Sequence, residues 1–565
     1  MKNSSLWIVL QRMRLPFTVI AISYAIAITG LVIIPGADDQ GDPYYFSIFE
    51  AFYFVTYTAT TIGFGEIPYP FTHAQKIWVS ISIYLTVIGW FYGIGSLVAL
   101  LQDKLLISEL AMARFRRSVR NIKEDFVIVL GYNDTTSQII RTMIDENMRV
   151  VVIEKDQQRA DYLMLEGFVP HVPVLVSDVH TTSSLEDAGI KSIHCKGIIS
   201  LFESNVLNLR VTLASRILNP HIKVAVKATT LNESENLYDA GANIVENPFS
   251  IIASQIRMAL EGPSLFKLEN WLYNIDTLDT KTFVIPQSDI IICGYGRLGE
   301  NLYEVFEKKE IYPTIIEQNS VKVARAKHNG VKNIIKGNGE DKYILKEANI
   351  KNAKLIIVAT NDDTINLSII STVKRLNKKT IIITRENELS DFSIFSNAKI
   401  DHIFLPSQIL IHKTANAIMN PLCDRMIKII NHKDEKWGVS LLRQLLKTIN
   451  SDPLTFELNI TKHEAIEVYN YLLNKQNKMM IKSLILSRRD RHMLNNAVPL
   501  LIIREEKDII LPNLNFELQC EDKILFACDE NAKNDLEYVI NNVYEFHYIV
   551  TGIEKKYFDK FISRG

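Results

Sequence analysis

From Leu15 to Ile34 the chain carries no charged residue, and from Ile77 to Gln102 it again carries none. Each stretch reaches the roughly 20 apolar residues that a helix needs to cross a bilayer. Beyond residue 103 no uncharged run is that long. Short apolar runs follow instead (FVIVL, VVVI, DIIICG, LIIVA, TIIIT), with the length of buried strands. The 565 residues therefore divide into a small membrane part and a large water-exposed part of several domains. The first stretch is too long for a cleaved signal, and Pro35–Gly36 offers no small-x-small cleavage site. Lys2, Arg12 and Arg14 precede it, and Lys104, Arg114, Arg116, Arg117, Arg120 and Lys123 follow the second stretch. By the positive-inside rule both ends are cytoplasmic and the 36–74 connection is outside.

Between the spans, residues 47–59 (SIFEAFYFVTYTA) are apolar and aromatic but too short to cross. They fit a re-entrant pore helix, which is tolerated only inside protein. They run into Thr60-Thr61-Ile62-Gly63-Phe64-Gly65-Glu66. This string resembles the potassium-channel filter pattern T-V-G-Y-G, with Ile for Val and Phe for Tyr. A filter needs a row of backbone carbonyls to replace the ion's water shell. Thr61, Ile62, Gly63, Phe64 and Gly65 supply such a row, and the two glycines supply the backbone freedom. T-x-G-x-G alone is a weak signal; its place after a short aromatic helix and between two spans gives it weight. One chain supplies one filter strand and a K⁺ filter uses four, so a homotetramer is expected. No span carries regularly spaced arginines, so no voltage sensor is apparent. Gly89, Gly93, Gly95 and Leu97 in the second span are candidates for a hinge or gate. Glycine marks either a bend or a close helix contact, and the sequence leaves both open.

The larger part repeats one plan. Phe126–Leu130 enters Gly131-Tyr132-Asn133, and Ile290–Cys293 enters Gly294-Tyr295-Gly296-Arg297-Leu298-Gly299. Each strand is followed by a helix and a second strand ending in an acid, Glu154 or Glu317. Matching helices follow (LEDAGI and LKEANI), then strands Gly197–Leu201 and Leu355–Ala359, with Asn205 and Asn366 opening the next helices. This alternation predicts parallel, doubly wound sheets. In the second copy Gly294 makes the tight turn, Gly296 lets backbone approach a pyrophosphate, and Gly299 permits close helix packing. Phosphates would sit on the helix N-terminus. Glu317 stands about 20 residues on, the spacing of an acid that binds ribose hydroxyls and repels a 2′-phosphate. In the first copy Asn133 and Thr136 replace the second and third glycines, which predicts a structural copy or one with a different ligand.

With these motifs and the segment AGANIVENPFS, the chain resembles prokaryotic potassium channels regulated by RCK (KTN) domains, with two tandem RCK domains per subunit. The resemblance covers nearly the whole length. It implies a membrane α pore of two transmembrane helices plus a re-entrant helix, fused to two Rossmann-like α/β domains and a C-terminal α+β lobe. It implies a ligand-gated, multi-pass protein of the inner (cell) membrane, in contact with lipid. Eight RCK domains from four subunits would form a cytoplasmic gating ring that binds NAD, ADP or another adenine nucleotide, and Ca²⁺ or another divalent cation. It adds Gly337, Asn338 and Thr360 to the nucleotide contacts, although the family often has Asp where Asn338 stands. The family's calcium-binding strand corresponds to Val226-Lys227-Ala228-Thr229, which holds no acid, and no metal ligands are assigned. In the family, helices such as 248–261 and 406–420 pair RCK domains; the residues themselves fit ordinary packing equally well.

The expected domains are a pore (1–102), a linker without Gly or Pro (103–125), a first RCK domain (126–287), a second RCK N-lobe (288–422) and its C-terminal lobe (423–565). The formal charge of −1 gives no footprint for nucleic acid. The five cysteines lack zinc or disulfide spacing and are expected as buried thiols. An NAD-dependent membrane oxidoreductase is the alternative, against which stands the lack of a His–Lys or His–Asp pair near the fingerprint. A regulatory subunit of a transporter would lack a filter of its own.

Overall fold

The structure, a computed structural model, describes residues 4–280, 284–386, 395, 398, 400–404, 406–450, 452–474 and 476–554. Lys2 lies outside them. Two compact units make up the chain, Met1–Asn121 and Ile122–Gly565.

In the first unit, helices α1 (Ser4–Ile33) and α3 (His73–Leu101) hold the two uncharged stretches. Gln11–Ile33 and His73–Leu101 are long and apolar enough to cross a membrane, with mean hydropathies of 2.1 and 1.8. Between them stand an antiparallel pair of two-residue strands, β1 (Gly36–Ala37) and β2 (Pro43–Tyr44), and the short helix α2 (Ile48–Ala59). Ala27 and Leu31 of α1 pack with Phe54 and Val55 of α2 and Val79 of α3. Small residues set the approach of α1 and α3. A Cβ on Gly89 would lie 2.9 Å from the Ser23 hydroxyl, and one on Gly93 would lie 2.6 Å from Ile20. Those two glycines are therefore packing positions, and α3 runs unbroken through Gly89, Gly93, Gly95 and Leu97.

The linker is helical, as α4 (Lys104–Arg120), but it does not continue α3. Gln102 caps α3 and Asp103 starts a new helix. The Asp103 carbonyl accepts from Ile107 N–H at 3.0 Å, and its carboxylate accepts from Leu106 N–H at 3.2 Å. Arg12 of α1 pairs with the same carboxylate. A helical segment thus begins at a joint, although the linker carries neither Gly nor Pro.

The second unit contains two six-stranded parallel sheets. The first has β3 (Phe126–Leu130), β4 (Arg149–Glu154), β5 (Val174–Val176), β6 (Cys195–Ser200), β7 (Lys223–Lys227) and β8 (Ile244–Glu246), in the order β5-β4-β3-β6-β7-β8. The second has β9 (Ile290–Cys293), β10 (Thr314–Glu317), β11 (Asn333–Lys336), β12 (Leu355–Val358), β13 (Ile381–Arg385) and β14 (His402–Phe404), in the same order, β11-β10-β9-β12-β13-β14. Strand β3 is buried along its whole length, as a strand covered on both faces must be.

The helices that leave the sheets are exchanged. Phe249, Ile252 and Ile256 of the helix Pro248–Glu261, which follows the first sheet, lie in one core with Ile290, Ile292 and Leu302 of the second copy. Leu410, Ile411 and Ala415 of Pro406–Met419 lie in one core with Val127, Ile140 and Ile199 of the first copy. After Pro421–Ile430 and Glu435–Thr448, an antiparallel sheet follows, ordered β15 (Leu454–Asn459), β18 (Lys523–Cys528), β16 (Ala497–Arg504), β17 (Lys507–Ile510). Cys195, Cys293, Cys423 and Cys528 are buried free thiols; Cys520 is half-exposed, unlike the sequence expectation.

Candidate functional site

The segment Thr61–Gly65 emerges from the C-terminus of α2. Ser47 and Glu50 form a capping box at the start of that helix, with the Ser47 N–H donating to Glu50 at 2.8 Å. The far end turns its unpaired carbonyls, and hence the negative pole of the helix, toward the segment. Ile62 and Gly63 N–H both donate to the Tyr57 carbonyl, at 2.9 and 3.1 Å. The Tyr57 hydroxyl donates to the Glu66 carbonyl, and the Tyr53 hydroxyl to the Glu66 carboxylate, each at 3.0 Å. These tyrosines were not singled out from the sequence, because a buttress is visible only once the helix and the segment meet. Thr61, Gly63 and Gly65 stand at φ of 61°, 63° and 72°. The left-handed region costs an L-residue about 1–2 kcal/mol, so Thr61 is held there by its surroundings. Ile62 and Phe64 are exposed, at 59% and 66%.

In the second copy, Gly294 takes φ of 102° and its N–H donates to the Ile316 carbonyl at 2.8 Å. Gly296 is the N-cap of the helix Arg297–Glu307, and no side chain caps that end. A Cβ on Gly299 would lie 2.0 Å from the Gly294 carbonyl oxygen. Gly299→Ala must therefore displace the helix from the turn, and should cost about 3 kcal/mol, the upper range for overpacking. Thermal unfolding measures this; an unchanged midpoint would contradict the contact.

These elements frame a cleft of about 230 Å³ at the carboxyl edge of the sheet, lined by Gly294, Gly296, Glu317, Gly337, Asn338 and Thr360 among others. Tyr295 and Leu298, expected at the site, are buried in the core at 2% exposure and do not line it. They anchor the turn from below. Arg297 lies outside the lining, with its guanidinium 4.3 Å from the ring centre of Phe249 on the exchanged helix. Glu317 lines the cleft, but its two oxygens accept from Tyr295 N–H and Asn319 N–H, each at 2.8 Å. It braces the glycine turn first, leaving one lone pair on each oxygen for a ligand. Asn361, which follows Thr360 at the strand end that the resemblance implies as a nucleotide contact, also lines the cleft; Lys322, Gln318 and Asp362 line it without having been singled out from the sequence. Lys322 lies five residues beyond Glu317, in the first turn of the helix Ser320–His328. Its ammonium stands 3.9 Å from where a Gly296 Cβ would be. An uncapped helix N-terminus and an ammonium on the same spot make it favourable for an anion.

The first copy has the same turn with its anion position filled. The Asn133 side chain accepts from Thr136 N–H at 3.0 Å, and Thr136 Oγ1 accepts from Asn133 N–H at 2.8 Å. Glu154 braces the turn as Glu317 does, bonding Tyr132 N–H at 2.6 Å and Asp156 N–H at 2.7 Å. The acid is therefore common to both copies and does not by itself mark a nucleotide. At the end of the fifth strand Lys227 is neutralised by Glu203, whereas Arg385 bonds the neutral Asn361 at 3.2 Å. Burial and the nearby Arg297 lower Arg385 to about 10. The counterpart of Asn366 is Asn208, three residues beyond Asn205. Both are fully buried, and their amides bond the carbonyls of Lys227 and Arg385, at 2.7 and 3.1 Å.

The Ion channel family matches residues 15–103, and the TrkA-N domain family matches residues 127–248 and 290–406. The chain joins an ion channel domain to two TrkA-N domains. An uncharacterized protein of Methanothermus fervidus is 26% identical over 248 residues, which are 44% of this chain and 38% of that protein. Potassium channel protein 1 of Methanocaldococcus jannaschii is 21% identical over 243 residues, 43% of this chain and 71% of that one. The GsuK channel bound to NAD aligns over 95% of this chain and 99% of its own, at 15% identity and a TM-score of 0.48. The chain thus spans 38% of the first relative's length and 71% of the second's. The open cleft belongs to the second TrkA-N domain and the self-capped turn to the first.

Proposed function

We propose that the chain is one subunit of a tetrameric potassium channel, opened or closed by NAD or an adenine nucleotide in the second TrkA-N domain. The observation that carries this reading is the alternation of left-handed residues at 61, 63 and 65, between two membrane-spanning helices. Such a strand departs from the alternating carbonyls of a β-strand and suits a row facing one axis. Its apolar side chains, bare in one chain, find cover when four chains surround the axis. The cytoplasmic domains carry a second sign of assembly. The helix Asn205–Leu218 exposes Val206, Leu213 and Ile217, spaced along one face. Both termini would be cytoplasmic, in the cell membrane of a prokaryote.

Among the described residues no group of three His, Cys, Asp or Glu could hold a metal, and no ligands are assigned to a divalent effector. The oxidoreductase alternative predicts hydride transfer by the purified protein; a spectrophotometric assay for NADH turnover decides between them. The direct test of the channel is recording in planar bilayers with NAD⁺, NADH, ADP, ATP and Ca²⁺ added in turn to the cytoplasmic side. A response to none of the nucleotides would count against the reading.

Coupling would run through the joint at Asp103. A rigid α4 can carry displacement to the inner helix only if the joint is held. Asp103 holds it by capping α4 and pairing with Arg12. A Gly-Ser insertion after Asp103 is expected to leave K⁺ conduction intact and to reduce the nucleotide response several-fold. A full response in the inserted channel would refute transmission through α4.

A further inference from the structure

The two helix pairs that leave the sheets match position by position: Pro248 corresponds to Pro406, and Pro263 to Pro421. Pro248–Glu261 packs on the Arg297–Glu307 helix of the second copy, and Pro406–Met419 packs on the Asp134–Asp145 helix of the first. The two exchanged helices also pack on each other. The exchange is reciprocal, as between the halves of a symmetric dimer. In shape alone, such a surface would accept a second copy of itself as readily as its counterpart.

Its charges are not reciprocal. The Lys413 ammonium lies 3.5 Å from a Glu269 oxygen, with side chains only 13% and 2% exposed. The other Glu269 oxygen is buried and has no hydrogen-bond partner among the described residues, so Lys413 is the compensation of this carboxylate. Glu246 ends β8, which packs on the same helix as Lys413, and lies in the field of that ammonium. Asn416, three residues beyond Lys413, donates from Nδ2 to the Leu272 carbonyl at 2.9 Å. That carbonyl ends the helix Pro263–Leu272, where the helix itself gives it no partner. The acceptors all belong to the first copy and the donors to the second. At the matching positions stand Ile427 for Glu269, Phe404 for Glu246, Gln255 for Lys413 and Met258 for Asn416, all buried.

A pair of two second domains would set Lys413 against Ile427 and Phe404, with no acid at either position. A pair of two first domains would set Glu269 and Glu246 against Gln255, and turn the Leu272 carbonyl toward Met258. An ion buried without its partner costs far more than a buried pair contributes, so such a pair acts against wrong partners more than it stabilises the right one. We propose that Lys413 and Glu269 make the exchange surface of the second TrkA-N domain selective for a first domain, and bar the pairing of like with like. The covalent connection between the domains favours mixed pairing whatever the charges are, and the ion pair adds a selection that the connection does not supply. On the channel reading above, four chains would then hold their eight domains as four mixed pairs.

The test is cross-linking of the full chain in detergent with a homobifunctional amine reagent, read by mass spectrometry. A link between two copies of the same lysine necessarily joins two chains. Lys428 is the reporter, with its side chain 62% exposed. In a pair of second domains it would face its own copy from the position Asn270 now holds, on a helix that packs against the Lys428 helix. The parent should give few Lys428–Lys428 links. Glu269→Leu with Lys413→Met removes both charges and keeps the volume. This double variant should unfold at or above the parent's temperature, since apolar replacement of a buried ion pair is neutral or stabilising. Its Lys428–Lys428 links should rise about tenfold, as the penalty on the wrong partner is gone. Glu269→Gln keeps the lysine that bars a second domain from its own kind, and should stay at the parent's level. A folded double variant without added links, or Glu269→Gln with as many links as the double variant, would overturn the proposal. So would a double variant that unfolds well below the parent, because the pair would then be an element of stability and not of selection. A like pair needs only two chains, so these outcomes do not depend on the number of chains; the mass in detergent tests the tetramer separately.

Discussion

Replacing Gly63 by Ala is expected to abolish selective K⁺ flux. Gly63 stands at φ of 63° with its N–H bonded to the Tyr57 carbonyl at 3.1 Å. A Cβ there would meet no atom of the chain within 4 Å, so the obstacle is backbone preference and not a clash. That preference costs about 1–2 kcal/mol for each alanine, and four chains around one axis would sum it to about 4–8 kcal/mol. The strand can escape the cost by rotating the peptide, which removes a carbonyl from the row. Selectivity depends on the whole row, so a local change of this kind acts on every ion that passes. Potassium and sodium flux into proteoliposomes gives the measurement. Selective flux retained in Gly63→Ala, or equal sodium and potassium flux in the parent, would contradict the filter assignment.

The second large effect is expected at Gly296. Gly296→Asp puts a carboxylate over the uncapped N-terminus of Arg297–Glu307 and beside Lys322. It would cap the helix itself, as Asn133 does in the first domain, and pair with the ammonium. The phosphates of a nucleotide would then lose charge-assisted bonds worth about 1.5–3 kcal/mol and meet a like charge. Affinity for NAD or ADP should fall by about a hundredfold. Asn133→Asp changes a cap for a cap in a turn that is already filled, and should alter affinity little. Calorimetric titration of both variants separates the domains. Equal loss in both would reject the assignment to the second domain.

The backbone course of the segment Thr61–Gly65 and of the glycine turn was legible in the sequence because local backbone chemistry specifies it. Gly63, Gly65 and Gly294 stand at left-handed φ, and Gly299 leaves no space for a Cβ. The exchange of helices was not legible. Pro248–Glu261 and Pro406–Met419 show the same apolar faces whichever core they fill, and only long-range packing chooses. The bracing role of Glu317 was hidden for a related reason: the spacing of an acid after the turn is the same whether it holds ribose or backbone. The break between α3 and α4 did leave a mark. Asp103 is a good N-cap residue between two helical stretches, and capping chemistry marks the joint without any Gly or Pro.

The most direct test of the account joins its two sites in one experiment. Parent and Gly296→Asp channels are reconstituted in planar bilayers, and K⁺ current and reversal potential are recorded before and after cytoplasmic nucleotide. The parent's open probability should change with nucleotide while its preference for K⁺ over Na⁺ stays fixed. Gly296→Asp should conduct K⁺ with the same preference and ignore the nucleotide. A parent that does not respond, or a variant that responds in full, would contradict the claim that the second TrkA-N domain gates this pore.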